Sequence, residues 1–281
     1  MEQRTLNAVQ IQRFASHLQS EERAAATIEK YLRDVREFSV WLDGGAVTKE
    51  VVLTWRELLL AKGRGPATVN TKLSALNSLF HFLGWDGCQV KFLKIQRAVF
   101  RDRSLELTRT DFQRLLATAQ GLGRDRLALL METICATGIR VSEVRYITVE
   151  AARRGRAEVR LKGKIRLILL PGKLCRKLLR YAEKKKITAG QIFVTGGGNP
   201  LSRKQIWREM KLLCEKAHVE ESKVFPHNLR HLFATLFYRA CKDIVKLADV
   251  LGHSSVETTR IYLVSTGREH TRWMDRLGII T

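Results

Sequence analysis

Acidic residues are scarce in this chain of 281 residues: 28 Asp and Glu stand against 50 Lys and Arg, a formal net charge of +22. A surplus of that size repels itself unless a polyanion screens it. Nucleic acid is therefore the first partner to consider and an anionic membrane surface the second. The chain has no run of about 18 apolar residues, which excludes a bilayer-spanning helix and weakens the membrane reading. The N-terminal Met-Glu-Gln-Arg-Thr-Leu-Asn lacks the apolar stretch of a secretion signal, so a cytoplasmic location is expected. The five cysteines, Cys88, Cys135, Cys175, Cys214 and Cys241, are odd in number, far apart and without a Cys-x-x-Cys pair. That argues against a disulfide framework or a zinc site and for small core residues in a reducing compartment. Low-complexity tracts and repeats of fixed period are also absent.

A hydrophobic fraction of 45% is ordinary for a globular protein. The length suits two domains of roughly 100–200 residues each. In the first hundred residues four apolar stripes keep helical spacing. They are Ile11, Phe14 and Leu18; Ile28 to Leu42, ended by Gly44-Gly45; Trp55, Leu58 and Leu59, broken by Gly63 and Gly65; and Val69 to Leu83, ended by Gly84. Four such helices make a small bundle. Arg97 to Leu105 is basic and aperiodic, as a linker is.

A second domain opens with Thr108 and Asp111 as a capping box and Leu107 with Phe112 as a hydrophobic staple. A helix from Arg124 to about Thr137 stops at Gly138. The period then changes to two. Val159, Leu161, Ile165, Leu167 and Leu169 alternate with Arg160, Lys162, Lys164, Arg166 and Ile168, a hairpin around Lys162-Gly163-Lys164. Leu201-Ser202-Arg203-Lys204-Gln205-Ile206 repeats the cap-and-staple pattern. The expected architecture is mainly α: a helical bundle over 1–96, a linker over 97–106, and a mixed α/β domain with a small antiparallel sheet over 107–281.

Certain residues suit attack on a phosphodiester. Its non-bridging oxygens are anionic and gain charge in the transition state, and two guanidiniums can brace them bidentately. Arg140, in Ala-Thr-Gly-Ile-Arg-Val-Ser-Glu, and Arg230, in Pro-His-Asn-Leu-Arg-His, are the candidate pair. Arg140 lies in an apolar run, Ile134 to Val144, where a buried charge needs a partner such as Glu143. His227 stands three residues before Arg230, so both face one way in a first helical turn. A tyrosine nucleophile needs a base or a cationic setting at neutral pH, and a leaving oxygen needs a proton donor. Tyr262 lies nine residues after His253 in Leu-Gly-His-Ser-Ser-Val-Glu-Thr-Thr-Arg-Ile-Tyr. On one unbroken helix those two would sit on opposite faces. Gly252 can end one helix, and Ser254 with Glu257 reads as a capping box starting the next. His253 and Tyr262 approach only if that second helix folds back or moves.

These segments resemble the boxes of the tyrosine recombinase (phage-integrase) family. Ala-Thr-Gly-Ile-Arg-Val-Ser-Glu is similar to its first box and His-Asn-Leu-Arg-His-Leu-Phe-Ala to its second. Leu-Gly-His-Ser-Ser followed by Arg-Ile-Tyr is similar to its third. The hairpin resembles the one that carries a catalytic lysine, and the first hundred residues the family's SAM-like core-binding domain. The resemblance implies Tyr262 as the nucleophile of a 3′-phosphotyrosyl intermediate and Arg140 and Arg230 on the scissile phosphate. His227 would accept the tyrosine proton, His253 would hydrogen-bond a phosphate oxygen, and Glu143 would support Arg140. A hairpin lysine would protonate the 5′ oxygen. The family's Gly-Lys-Gly-x-Lys is here Leu-Lys-Gly-Lys-Ile-Arg; the Lys-Gly step favours Lys162 and leaves Lys164 in competition. No metal or other cofactor is implied, because the covalent bond stores the phosphodiester energy. His227 and His231 are four apart, but lack the Glu of His-Glu-x-x-His and a third ligand.

The resemblance further implies a clamp on double-stranded DNA bearing specific sites, assembled as a homotetramer. In that assembly the tail with Trp273, Met274, Leu277, Ile279 and Ile280 docks into a neighbouring protomer. The chain has no room for an added arm-binding domain, which suits the compact Xer-like or mobile-element type. Arg203, Lys204, Arg208 and Lys211 on the capped helix, and Lys62, Arg64 and Lys72 in the first domain, are candidate DNA contacts, although such runs are more often solvated faces. Two rival functions remain: a type IB topoisomerase-like nicking–closing enzyme and a catalytically silent DNA-binding relative.

Overall fold

The computed structural model describes residues 4–95, 105–161, 164–253, 255–262 and 275–276; for Leu161 and Lys164 it describes the backbone alone. The chain divides into two compact units, Met1–Arg97 and Ala98–Thr281. Most of the stretch expected as a linker, and every apolar tail residue named above, lie outside the described residues.

The first unit is built from α1 (Ala8–Ser20), α2 (Ala25–Leu42), α3 (Lys49–Ala61) and α4 (Pro66–Phe82). Their starts follow local chemistry. The Asn7 side chain accepts from Gln10 N as half of a capping box, Thr48 caps α3, and Pro66 occupies the first turn of α4, where its missing N–H costs nothing. α2 is stopped by Asp43 in the left-handed region at φ +47°, one residue before the glycine pair. The four stripes meet in one core around Phe14, Phe38, Trp55, Leu73 and Phe80. Trp55 packs edge-on to Phe38 at 5.2 Å, and truncating so buried an indole to Ala would cost about 3–5 kcal/mol.

Lys72 departs from the expectation of a DNA contact. Its ammonium is buried and ion-paired with Asp34 at 3.4 Å and with Glu37 more closely still. A carboxylate as buried as Asp34 requires a compensating cation, so the charge of Lys72 is spent inside the bundle. Lys62 and Arg64 remain exposed.

The second unit opens with α5 (Arg109–Gly121), whose Thr108–Asp111 capping box forms in both directions. α6 (Asp125–Thr137) runs through the core and packs on α5 and on two later helices, those over Gly172–Lys184 and Pro226–Cys241. It ends at Gly138, left-handed at φ +64°, where a Cβ would lie 2.4 Å from the Phe233 ring. A short 3₁₀ segment, Val141–Tyr146, and α7 (Val149–Arg154) lead into β1 (Arg156–Leu161) and β2 (Lys164–Leu169). Then follow α8 (Gly172–Lys184), α9 (Arg203–Lys211) with its Ser202–Gln205 capping box, α10 (Pro226–Cys241), α11 (Ile244–Leu251) and α12 (Val256–Arg260).

The hairpin's faces differ from the alternation read in sequence. Register pairs Val159 with Arg166 and Ala157 with Ile168, and all four point inward. Ile165, Leu167 and Leu169 are exposed on the other face. One apolar set thus splits across two faces, because β2 turns Arg166, not its neighbouring aliphatics, toward a buried carboxylate. The α12 cap is also corrected: the Ser255 hydroxyl accepts from Glu257 N, while Ser254 lies outside the described residues. Among the described residues no helix is long and apolar enough to cross a membrane. Burial pushes the Cys135 thiol up to about 12 and raises Cys175 and Cys214 as well.

Candidate active site

Five residues singled out in sequence, Arg140, His227, Arg230, His253 and Tyr262, line one cavity of about 840 Å³ in the second unit. Each arrives from a different local device. Gly138 ends α6 and turns the chain so that Arg140 caps the next 3₁₀ segment in extended backbone. Pro226 starts α10, placing His227 and Arg230 in its first turns, with His227 exposed at the rim and Arg230 buried. Gly252 ends α11 at φ +63°, and the chain doubles back through α12 to Tyr262. That reversal stacks the Tyr262 ring on His253 at 5.9 Å and 10°. The approach left open by sequence is therefore made by folding back, within one chain.

The apolar run around Arg140 does not bury that side chain; of the two arginines it is Arg230 that is buried. The Arg140 side chain is 43% exposed and bonds Glu143 Oε1 at 3.0 Å, while its backbone N–H donates to Oε2 at 2.7 Å. Arg230 is only 2% exposed. Its Nη1 donates to the Gly138 carbonyl at 2.5 Å, and its Nη2 to the Leu251 carbonyl at 2.8 Å and to His253 Nε2 at 2.9 Å. Two of these partners, Gly138 and Leu251, are the C-terminal ends of α6 and α11, where carbonyls lack helical partners and the dipole is negative. Burial lowers the Arg230 pKa, with Arg140 adding to the effect and the Tyr262 oxygen opposing it as a hydrogen-bond partner.

His253 is held in one tautomer. An arginine has no acceptor, so Nε2 must accept from Arg230; the proton then sits on Nδ1, which donates to the Thr259 hydroxyl at 2.8 Å. Burial first, then the charges of Arg230, Arg140 and Arg166, lower the His253 pKa to about 4. The ring is neutral at physiological pH. His231, buried in α10, packs its ring 5.0 Å from that of Tyr262. Among the described residues no cluster of three His, Cys, Asp or Glu could hold a metal ion.

Beneath the cavity lies Glu143, 1% exposed. It also accepts from Arg166 Nη1, at 2.9 Å to Oε1 and 2.8 Å to Oε2. Two guanidiniums, those of Arg140 and Arg166, thus hold one carboxylate, leaving one positive charge in excess. Arg166 and the fully buried Thr259 escaped sequence reasoning. The signal for Arg166 was present, as a basic residue on an otherwise aliphatic strand, but its partner lies 23 positions away.

The basic residues of α9 divide. Arg203 and Lys204 line the cavity, and Arg208 is exposed. Lys211 is drawn aside, its ammonium against the Glu221 carbonyl and 5.3 Å from the Trp207 ring centroid. Of the two hairpin lysines, Lys162 lies outside the described residues. Lys164 opens β2 in register with Leu161.

Comparison with known proteins accords with this geometry. Residues 106–268 match the phage integrase family and residues 11–87 the N-terminal SAM-like domain of phage integrases. The chain is 28% identical over 290 residues to tyrosine recombinase XerA of Pyrococcus furiosus, covering 100% of this chain and 98% of that protein. It is 32% identical over 293 residues to tyrosine recombinase XerD of Xanthomonas campestris pv. campestris, covering 92% and 88%. A solved lambda integrase dimer bound to a COC′ core site has the same fold, with a TM-score of 0.75 at 18% identity, covering 94% of this chain and 97% of that one. These likenesses define the class, a DNA breaking–rejoining enzyme. The chain belongs to the phage integrase family of tyrosine recombinases.

Proposed function

We propose that the chain performs site-specific DNA recombination through a 3′-phosphotyrosyl intermediate, with Tyr262 as nucleophile. The observation that carries this reading is the single cavity shared by Tyr262, the paired guanidiniums of Arg140 and Arg230, and two histidines. Tyr262 Oη forms the new bond to phosphorus, and the bond from phosphorus to the 5′ oxygen breaks. The tyrosine proton passes to His227 at the rim. The leaving oxygen takes its proton from the hairpin, from Lys162 in the reading favoured by the Lys-Gly step, or from Lys164. Arg140 and Arg230 brace the non-bridging oxygens as charge builds on them. The one positive charge left over among Arg140, Arg166 and Glu143, together with that of Arg230, suits a phosphorane more negative than the starting diester. Rejoining runs the same steps backward with a new 5′ hydroxyl, so the energy of the bond is kept.

His253 needs one adjustment. Its Nε2 accepts from Arg230 in the free protein, whereas a bond to a phosphate oxygen requires a proton there. The Thr259 hydroxyl can reverse and donate to Nδ1, which permits the other tautomer. Double-stranded DNA with specific sites is the partner, and the working form is a homotetramer on DNA, as in the lambda integrase tetramer bound to a Holliday junction. Exchange of the C-terminal tail between protomers holds that assembly together, and the two units clamp the duplex with Arg203, Lys204, Arg208, Lys62 and Arg64 at phosphates or base edges. Lys211 contributes only if it leaves Glu221. Action on DNA without a membrane-crossing helix among the described residues supports a cytoplasmic location.

The test is covalent capture from a library of nicked duplexes of randomised sequence. The full chain is expected to form a protein–DNA adduct that vanishes in Tyr262→Phe, and sequencing the captured DNA gives the site. Two labelled duplexes carrying that site should then yield joint products. Absence of an adduct would leave a silent DNA-binding relative, and adduct without joint products a nicking–closing enzyme.

A further inference from the structure

The geometry points to Arg166 as a positioning residue that couples the lysine hairpin to the two phosphate-binding corners. This rests on the recombinase reading above. Arg166 sits in β2, two residues after Lys164 and four after Lys162. Its guanidinium touches both other parts of the site at once. Nη1 donates to both oxygens of Glu143, the carboxylate that also holds Arg140. Nη2 donates to the Val250 carbonyl at 2.6 Å, at the end of α11 and three residues before His253.

The fit is close. A Cβ on Gly252 would lie 2.3 Å from Arg166 Cδ and 2.4 Å from Nε, so the Gly252 corner and the arginine stem occupy touching space. The side chain is 14% exposed. Burial lowers its pKa and Glu143 opposes that fall. Charge must be held here by geometry, and only a planar fork spans a carboxylate on one side and a carbonyl on another. The ammonium of a lysine is a single point and can serve one of them. The hairpin's inner face also packs Ala157, Val159 and Ile168 into the core, and Tyr146 Oη donates to the Arg160 carbonyl. The Arg166 clasp is what ties its base to both the Arg140 and the His253 corners. The acid that the hairpin carries is then delivered to the 5′ oxygen in register with the braced phosphate. Arg166 itself does not give up a proton, because a guanidinium stays charged at working pH.

The experiment uses the full chain and a nicked duplex bearing the captured site, made with either oxygen or sulfur at the bridging 5′ position. A thiolate leaves without protonation, so the sulfur duplex bypasses the hairpin acid. Arg166→Lys is expected to keep DNA affinity. It should form adduct on the order of 100-fold more slowly on the oxygen duplex, and less than about 10-fold more slowly on the sulfur duplex, because general acid catalysis of this kind supplies about that much. Gly252→Ala, which pushes on the same side chain from behind, should show the same oxygen-specific loss. Equal losses on both duplexes in either variant, or no loss in Arg166→Lys, overturn the proposal. If the unsubstituted chain forms no adduct on either duplex, the recombinase reading falls, and this inference with it.

Discussion

Replacing Glu143 with Gln changes one atom in a buried junction, and the structure sets what that should do. The carboxylate takes four N–H contacts: Oε1 from Arg140 Nη1 and Arg166 Nη1, and Oε2 from the Arg140 backbone and Arg166 Nη1. A glutamine offers one acceptor, so two contacts survive and two N–H groups meet an amide N–H. Removing one partner of a buried ion pair costs about 3–5 kcal/mol. The exposure of the Arg140 side chain argues for the lower end, about 3 kcal/mol, because solvent screens that half of the junction. For a domain of this size a kcal/mol moves the midpoint by about 2–4 °C, so Tm should fall by roughly 6–12 °C. The measurement is scanning calorimetry of the full chain, followed by adduct formation well below both transitions. Adduct should form far more slowly in Glu143→Gln, since Arg140 loses its anchor, while DNA affinity should not weaken, because the change removes a negative charge. A midpoint within about 2 °C of the parent, together with undiminished adduct, would refute the idea that this carboxylate organises the site.

His253 predicts a pH signature. Its folded pKa, about 4, lies below the ordinary histidine value of 6.5, so between those values the unfolded chain binds more protons. Stability is therefore present above pH 6.5 and lost as pH falls toward 4; His253→Gln should flatten that limb of a Tm-against-pH curve, and an unchanged limb would count against a neutral His253. In the first unit, Lys72→Met leaves the buried Asp34 with only the exposed Arg33 as its cation and should destabilise that unit by about 3 kcal/mol without altering the salt dependence of DNA binding. Lys62→Gln with Arg64→Gln should do the opposite, reducing the log–log salt slope by up to about 2 with little change in Tm. Identical slopes in parent and double variant would remove Lys62 and Arg64 from the interface.

Much of the scaffold was legible because its signals are local. The Thr108–Asp111 and Ser202–Gln205 boxes, and the stops at Gly138 and Gly252, act within three or four residues. Every helix they delimit forms as read. What was illegible depends on distant partners. Lys72 looks like any surface lysine until Asp34 and Glu37, 38 and 35 positions earlier, close on it. Arg166 reads as the polar half of an alternation until Glu143 appears behind it. Arg140, in its apolar run, reads in sequence as a buried charge. The helix that ends at Gly138 instead offers its last carbonyl to Arg230 and turns Arg140 outward. The cap of α12 moved by one residue, an error that two adjacent serines invite.

Tyr262 and the guanidiniums it meets belong to one polypeptide. On the proposed mechanism, a defective copy in a mixed assembly is expected neither to borrow a neighbour's tyrosine nor to lend its own, and to silence only the strand it holds. Restraint on unwanted nicking must then come from whatever governs DNA entry and hairpin placement, since the remaining groups already stand together before any partner arrives.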